Sequence, residues 1–134
     1  MAGKPLVFDS HALLKLFQKE PGYEEIVRIL EEARRDGVAI YINAINLGEL
    51  IYITQREFGE HKKIEVIAHV ERMGFVTLPA VNDVVFDAAE HKALYSISYA
   101  DCFVLVSAIT HDAIVVTGDP EFKKVEHLVE VLWV

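Results

Sequence analysis

Hydrophobic residues occur along this chain in short runs that alternate with amphipathic stretches. Most of the runs are nearly continuous and rich in β-branched residues, as expected for strands buried on both faces of a sheet. The last run alternates through Val129, Glu130 and Val131, which is typical of an edge strand. The five predicted strands cover residues 6–9, 38–42, 75–78, 113–117 and 128–134.

The stretches between these runs have helical periodicity. In residues 23–35, Ile26 and Ile29 fall on one face, while glutamates and arginines occupy the opposite face. We place Asp83 and Ser98 at the N-caps of two later helices, because short polar side chains favour that position. The predicted helices cover residues 23–35, 47–58, 62–72, 83–95 and 98–111.

The order of the elements predicts the fold class. Strands separated by helices require crossover connections, which are right-handed and place parallel strands side by side. We therefore expect an α/β fold, namely a three-layer α/β/α sandwich with a mainly parallel central sheet of about five strands. No repeat, low-complexity tract or linker interrupts the sequence, so residues 1–134 are predicted to form a single domain.

Composition and charge narrow the class of protein. Apolar runs are far shorter than the ~20 residues that span a bilayer, and no signal-peptide segment follows Met1. The single Cys102 fits a reducing compartment, so we expect a cytoplasmic protein without a membrane partner. A net charge of −8 argues against a passive nucleic-acid-binding module but is compatible with an enzyme that brings cations to an acidic pocket. The aromatic residues expected in the core are Phe8, Phe75, Phe86, Phe103 and Trp133.

Four acidic residues are expected at one edge of the predicted sheet. Asp9 ends the first strand, Asp119 follows the fourth, and Glu49 and Asp101 each lie in the first turn of a predicted helix. Ligands of open α/β sheets bind at the carboxyl ends of the strands, beside helix N-termini. Carboxylates that converge there repel one another unless a cation lies between them, and Mg²⁺ or Mn²⁺ prefers such oxygen ligands. Together the four acids therefore predict a metal site.

Each acid also has a structural explanation, which is the stronger one when that acid is taken alone. Gly118-Asp119-Pro120 is an ordinary turn sequence, and Asp9 would cap a helix that begins at Ser10. Only the convergence of all four side chains favours the metal site over these local roles. Two further pairs have the spacing of a capping box: Asn46 with Glu49, and Ser98 with Asp101.

The segments around the four acids carry a resemblance that extends over almost the whole chain. With these segments in this order, the chain resembles the PIN-domain nucleases, and among them the VapC-type toxins of toxin–antitoxin pairs. The last two segments are the most specific. In order, the segments are Val7-Phe8-Asp9-Ser10, Glu49-Leu50, Ser98-Tyr99-Ala100-Asp101-Cys102-Phe103 and Val116-Thr117-Gly118-Asp119-Pro120-Glu121-Phe122.

The resemblance implies an activity, a cofactor and partners. In similar proteins the matching acids hold one or two Mg²⁺ or Mn²⁺ ions, and a metal-polarised water cleaves RNA to leave 5′-phosphate and 3′-hydroxyl ends. VapC-type proteins usually dimerise and are silenced by an antitoxin, so the implied partners are RNA, an antitoxin protein and a second copy of the chain. The implied catalytic and metal-binding residues are Asp9, Glu49, Asp101 and Asp119. The implied supporting residues are Ser10, Asn46 and Thr117.

Two alternatives remain open at this point. The first keeps the chemistry but replaces the toxin role with RNA processing or decay, which a small basic antitoxin gene upstream would argue against. The second is a non-catalytic, metal-binding signalling module on a similar fold. A receiver domain needs an adjacent acidic pair after its first strand, and a haloacid-dehalogenase-like phosphatase needs Asp-x-Asp, whereas Ser10 and His11 follow Asp9 here. His11 is a candidate for a peripheral substrate contact, because it is the histidine nearest to Asp9 in sequence.

Overall fold

The apolar runs pair into one five-stranded sheet in the computed structural model, which describes residues 3–134. The strands are β1 (Leu6–Phe8), β2 (Ile40–Asn43), β3 (Val76–Leu78), β4 (Ile114–Thr117) and β5 (Val131–Trp133). Their order in the sheet is β3-β2-β1-β4-β5, and every neighbouring pair is parallel. The predicted sheet is confirmed, and β5 lies at an edge, as its alternating pattern indicated.

Helices occupy the connections between the strands. They are α1 (Ser10–Phe17), α2 (Tyr23–Asp36), α3 (Ala44–Phe58), α4 (Glu60–Arg72), α5 (Asn82–Leu94), α6 (Tyr99–His111) and a 3₁₀ helix (Pro120–Val125). The short helix α1 begins at Ser10 with Asp9 as its N-cap. The turn expected after β4 is the 3₁₀ helix.

Alternating side chains of the strands divide the core between the two faces of the sheet. Leu6 and Phe8 of β1 are buried in a cluster with residues of α1, α2, α3 and α4. Val7, which points to the opposite face, is buried with residues of α5, α6 and the 3₁₀ helix. The predicted three-layer α/β/α sandwich is therefore confirmed.

Two predicted helix starts are wrong. Helix α3 begins at Ala44 rather than at residue 47, because the side chain of Asn43 accepts a 2.9 Å hydrogen bond from the Ile45 N–H and caps the helix there. Glu49 consequently lies in the second turn of α3, not in the first. Helix α5 begins at Asn82 after Val81, so Asp83 lies inside its first turn and is not the cap.

Two of the aromatic residues expected in the core are exposed. Phe86 is 63% exposed, because α5 packs on the core through Val84, Val85 and Ala88, which leaves Phe86 on the outer side of the helix. Trp133 is 38% exposed at the edge strand β5. The other three, Phe8, Phe75 and Phe103, are buried as predicted.

Within residues 3–134, no single helix has the length and apolar composition needed to cross a membrane. Helices α5 and α6 meet that test only as a pair bent by 116°, a result that buried core helices also give.

Candidate functional site

Three adjacent parallel strands bring polar side chains to the same edge of the sheet. The chain leaves β1 at Asp9 and β4 at Asp119, and the helix that carries Glu49 starts directly after β2. From β1 the chain builds the sheet first towards β2 and β3 and later towards β4 and β5, so the carboxyl ends of β1 and β4 meet where the strand order reverses. Open α/β sheets bind their ligands at this position.

Asp101, Asp119 and Glu121 form the tightest acidic group at this edge. One carboxylate oxygen of each residue lies within 4.8 Å of an oxygen of the other two. A single divalent cation with oxygen ligands at roughly 2.0–2.6 Å can contact three atoms so spaced. The group therefore has the size and chemistry of a metal site.

Glu121 did not emerge from the sequence as a site residue. The 3₁₀ helix begins with Asp119 as its cap, whose Oδ1 accepts a 2.9 Å hydrogen bond from the Glu121 N–H, and Pro120 follows as the first helical residue. This turn of helix carries the Glu121 carboxylate back towards Asp119. The signal was present in the sequence, because proline directly after an Asp is typical of a helix start.

Asp9 lies outside this group of three acids, near enough to Asp119 for the two charges to interact, and is fully buried. Its Oδ1 accepts a 2.8 Å hydrogen bond from the Ala12 N–H, so the predicted cap of a helix at Ser10 is confirmed. Its Oδ2 accepts a hydrogen bond from the Thr117 hydroxyl, whose oxygen accepts a 2.9 Å bond from the Asp119 N–H. The Thr117 hydroxyl thus connects the two acids.

Burial and neighbouring acids raise the pKa of two carboxyl groups at this edge, Asp9 and Asp101. Burial raises the pKa of Asp9 from 3.8 to about 6, against the hydrogen bonds from Thr117 and Ala12, and the Asp119 charge adds to the rise. Burial likewise raises the pKa of Asp101 from 3.8 to about 8, helped by contact with the Asp119 carboxyl and by the charge of Asp9. Carboxylates that affect one another in this way are more stable with a cation among them.

Glu49 lies beside this group rather than in its centre. It is outside the set of oxygens that lie within 4.8 Å of one another. Its Oε1 accepts hydrogen bonds from the Ser10 hydroxyl at 3.2 Å and from Asn46 Nδ2 at 3.4 Å. The same Asn46 Nδ2 donates a 3.1 Å bond to the carbonyl of Ala100, the residue before Asp101. Ser10 and Asn46 therefore hold Glu49 against the start of α6.

The capping explanations account for only part of these contacts. Ser98 caps α6 by accepting a 3.1 Å hydrogen bond from the Asp101 N–H, as predicted. The return bond of a capping box is not made by Asp101, since the Ser98 N–H donates to Glu121 Oε2 at 3.1 Å. In α3 the cap is Asn43, so the capping-box interpretation of Asn46 and Glu49 is wrong. The carboxylates of Asp101 and Glu49 are thus available for another role.

Two unpaired oxygens indicate what these residues fit. In the part of the chain that the structure describes, the buried side-chain oxygens without a hydrogen-bond partner are Asn46 Oδ1 and Asp101 Oδ2. Exchanging the positions of the Asn46 amide oxygen and nitrogen would not remove the unpaired atom, because Nδ2 in its present position donates to two acceptor oxygens. An unpaired buried oxygen costs free energy, about 1–3 kcal/mol for a neutral group and more for a charged one. The hard oxygen donors of Asp101, Asp119 and Glu121 fit Mg²⁺ or Mn²⁺, which would offset that cost at Asp101.

Replacing Thr117 with valine tests the connection between Asp9 and Asp119. The isosteric side chain leaves no cavity but removes both hydrogen bonds of the hydroxyl, so we expect a loss of about 1–3 kcal/mol in the free energy of unfolding. Urea unfolding in the presence of a chelator measures this change. Thr117→Ser keeps the hydroxyl and loses only the buried methyl, so it measures the packing contribution separately, and a Thr117→Val chain as stable as wild type would show that the hydroxyl connection contributes nothing.

Comparisons with known proteins agree with this architecture. A family model described as PIN domain matches residues 6–128. No curated protein matches the sequence. The fold is similar to DNA-bound VapBC from Salmonella typhimurium, with a TM-score of 0.78, 15% identity and coverage of 97% of this chain and 98% of that chain. It is also similar to VapC20 from Mycobacterium tuberculosis, described as a sarcin-ricin loop cleaving toxin, with a TM-score of 0.74, 14% identity and coverage of 94% and 98%. A third similar structure is VapBC2 from Rickettsia felis bound to a promoter DNA fragment, with a TM-score of 0.71, 17% identity and coverage of 95% and 96%.

Proposed function

Because this chain belongs to the PIN domain family, we propose that it is an endoribonuclease that hydrolyses RNA phosphodiester bonds with the help of Mg²⁺ or Mn²⁺. The observation that carries the proposal is the group formed by Asp101, Asp119 and Glu121, in which the buried Asp101 Oδ2 lacks any hydrogen-bond partner. The structural contacts leave that oxygen unsatisfied, whereas a divalent cation bound there would satisfy it.

The chain's own residues divide the work at the site. Asp101, Asp119 and Glu121 would hold the cation, and the buried Asp9 adds negative charge near them. Bound there, a divalent cation supplies stabilisation of charge on phosphoryl oxygens and lowers the pKa of an attacking water. The Thr117 hydroxyl fixes the orientation of Asp9.

The contacts of Glu49 support a role in orienting the substrate or the attacking water. Ser10 and Asn46 both donate to Oε1, so the orientation of the carboxylate is fixed at the rim of the acidic group. Asn46 also donates to the Ala100 carbonyl, which ties this carboxylate to the helix that carries Asp101. We therefore keep Glu49 in the proposed catalytic set, together with Asp9, Asp101 and Asp119, and add Glu121.

We further propose that the chain acts as a VapC-type toxin in the cytoplasm, with an antitoxin protein and a second copy of itself as partners. Two of the similar structures are VapBC assemblies, and another is described as a toxin–antitoxin complex from Klebsiella pneumoniae. Each similarity covers nearly the full length of both chains, which favours a shared role over the reuse of one fragment of the fold. An acidic surface with a net charge of −8 suits a basic partner.

The purified chain is expected to cut single-stranded RNA with Mn²⁺ or Mg²⁺ and to stop when a chelator removes the ion. Returning the ion should restore the activity, and the products should carry 5′-phosphate ends. Denaturing gel electrophoresis of end-labelled RNA measures both results. Cleavage that continues in the chelator would contradict the metal dependence, and the absence of cleavage with either ion would contradict the proposed activity.

A further inference from the structure

A cavity of about 250 Å³ opens beside the acidic group. Its lining comes from α1 and the segment just beyond that helix, from the turn after β4, and from the end of the chain: His11, Ala12, Lys15, Glu20, Gly118, Asp119, Pro120 and Val134. Asp119 belongs both to this cavity and to the acidic group. A ligand in the cavity therefore lies next to the proposed metal site.

Lys15 provides an available positive charge in this cavity. Within residues 3–134, no acidic side chain forms an ion pair with Lys15, and the side chain is half-buried. Several other lysines are engaged, since Lys62 pairs with Glu65 and Lys124 donates to the Ser96 carbonyl. A half-buried cation without a protein partner is suited to an anionic ligand.

The loop between α1 and α2 leaves room for the Lys15 ammonium. A Cβ atom on Gly22 would lie 3.1 Å from Lys15 Nζ, so a side chain at that position would crowd the ammonium. Gly22 also has a φ of +93°, which favours glycine there for a second reason. The backbone of the loop thus sets where the Lys15 charge lies.

His11 stands between Lys15 and the acidic group. His11 and Lys15 are four residues apart on α1 and therefore share one face of the helix. The His11 Nε2 lies 3.8 Å from Asp119 Oδ2, so the ring borders the acidic group and the cavity at once. The face of α1 thus presents two nitrogen-bearing side chains in a row that leads away from the acids.

We propose that this cavity binds a phosphate of the RNA backbone next to the phosphodiester that is cleaved, with Lys15 as the cation that contacts it. The inference rests on the proposed function. A chain with a net charge of −8 cannot hold RNA by bulk attraction, so its grip must come from individual cations placed near the site. Glu20 and Asp119 also line the cavity and make the surrounding field mixed, so the binding depends on direct contact with Lys15 and on the proposed cation beside Asp119.

Replacing Lys15 with glutamine tests this inference. We expect KM for a single-stranded RNA to rise by on the order of fivefold, with kcat unchanged, because the contact binds substrate and transition state alike. In the inactive Asp101→Asn background, anisotropy of a labelled RNA should show weaker binding, and the slope of log affinity against log salt should fall by about 0.7, the value for one phosphate on a single strand. Lys15→Arg keeps the charge and should restore most of the affinity.

Lys19→Gln is the matched control, since it makes the same charge change on an exposed residue just past α1 and outside the cavity. If Lys15→Gln and Lys19→Gln have the same KM and salt slope while the wild-type chain cleaves RNA, the inference is wrong and the proposed function stands. A wild-type chain that neither binds nor cleaves RNA overturns both. If Lys15 contacts an acidic protein partner instead of RNA, the Lys15→Gln variant will bind RNA as tightly as the wild-type chain. That result would also overturn the inference.

Discussion

Replacing Asp101 with asparagine is expected to lower the rate of RNA cleavage about a thousandfold or more, because several kcal/mol of charge stabilisation would be lost. Asp101 belongs to the tightest acidic group, and its Oδ2 has no hydrogen-bond partner. Asparagine keeps the size of the side chain but offers one neutral oxygen in place of two that share a charge. Initial cleavage rates at saturating Mn²⁺ measure the loss.

Asp87→Asn is the matched control for this experiment. It makes the same chemical change on the exposed surface of α5, where the residue takes no part in the acidic group, and it should leave the rate unchanged. We expect Asp9→Asn and Asp119→Asn to behave like Asp101→Asn. A purified Asp101→Asn protein with the wild-type rate would remove Asp101 from the proposed site.

Replacing Glu121 with glutamine tests whether the metal-binding residues are those that the structure groups together or the four acids that the sequence predicted. The sequence pointed to four acids, whereas the folded chain gathers Glu121 with Asp101 and Asp119 and leaves Glu49 at the rim. A loss of activity in Glu121→Gln similar to that in Asp101→Asn is expected if Glu121 holds the cation. If only Glu49→Gln were inactive, the four acids from the sequence would describe the site better than the contacts do.

The three layers and the parallel sheet of the fold follow from patterns that the sequence displays, whereas the order of the strands was not predicted. Apolar runs such as residues 113–117 are too short and too β-branched for helices, and the amphipathic stretches between them leave crossovers as the available connection. The parallel arrangement then fixes which ends of the strands share an edge, so the approximate position of Asp9, Asp101 and Asp119 was predictable. The sequence could thus predict at which edge of the sheet these acids lie, because that depends on the topology of the strands and not on the positions of individual atoms.

Helix ends and side-chain partners were less accessible from sequence. Asn43 and Asn46 have the same side chain, and either one suits an N-cap; the hydrogen bond to Ile45 shows that Asn43 takes the role. Because α3 begins three residues earlier than predicted, Glu49 lies most of a turn further along the helix, and Asn46 is free to donate to the Ala100 carbonyl. Such choices depend on tertiary contacts between α3 and α6, which no local spacing encodes.

The two exposed aromatic residues, Phe86 and Trp133, also show that tertiary contacts decide which side chains are buried. Phe86 lies in an apolar segment, yet α5 packs mainly against α6 and buries the small Ala88, while Phe86 stays exposed. Apolar content identifies a helix that packs on a core, but the face that packs depends on how closely its backbone approaches its neighbour. Composition therefore predicted the presence of the second helical layer better than its orientation.

Stability without metal is expected to fall as the pH rises from about 4 to about 8. The pKa of Asp101 is about 8 in the folded chain and 3.8 as its ordinary value, so folding retains a proton that the unfolded chain releases. The stability that the protonated Asp101 contributes is fully present below pH 3.8, and it is lost as the pH rises through the folded pKa of about 8. The slope is at most about 1.4 kcal/mol per pH unit for each such proton. Asp9, with a folded pKa of about 6, adds to the slope in the lower part of this range.

A divalent cation should reverse this trend, because it binds the deprotonated carboxylates and competes with the protons. At a hundred times its dissociation constant it adds about 2.7 kcal/mol to the free energy of unfolding. Urea unfolding of wild type and Asp101→Asn between pH 5 and 8, with chelator or with Mn²⁺, measures both effects. Without metal, Asp101→Asn should be no less stable than wild type at pH 8 and should lose the slope between pH 6 and 8, since asparagine has no proton to release. A less stable Asp101→Asn at pH 8 would favour a structural role of Asp101 at the start of α6 over the role in a metal site.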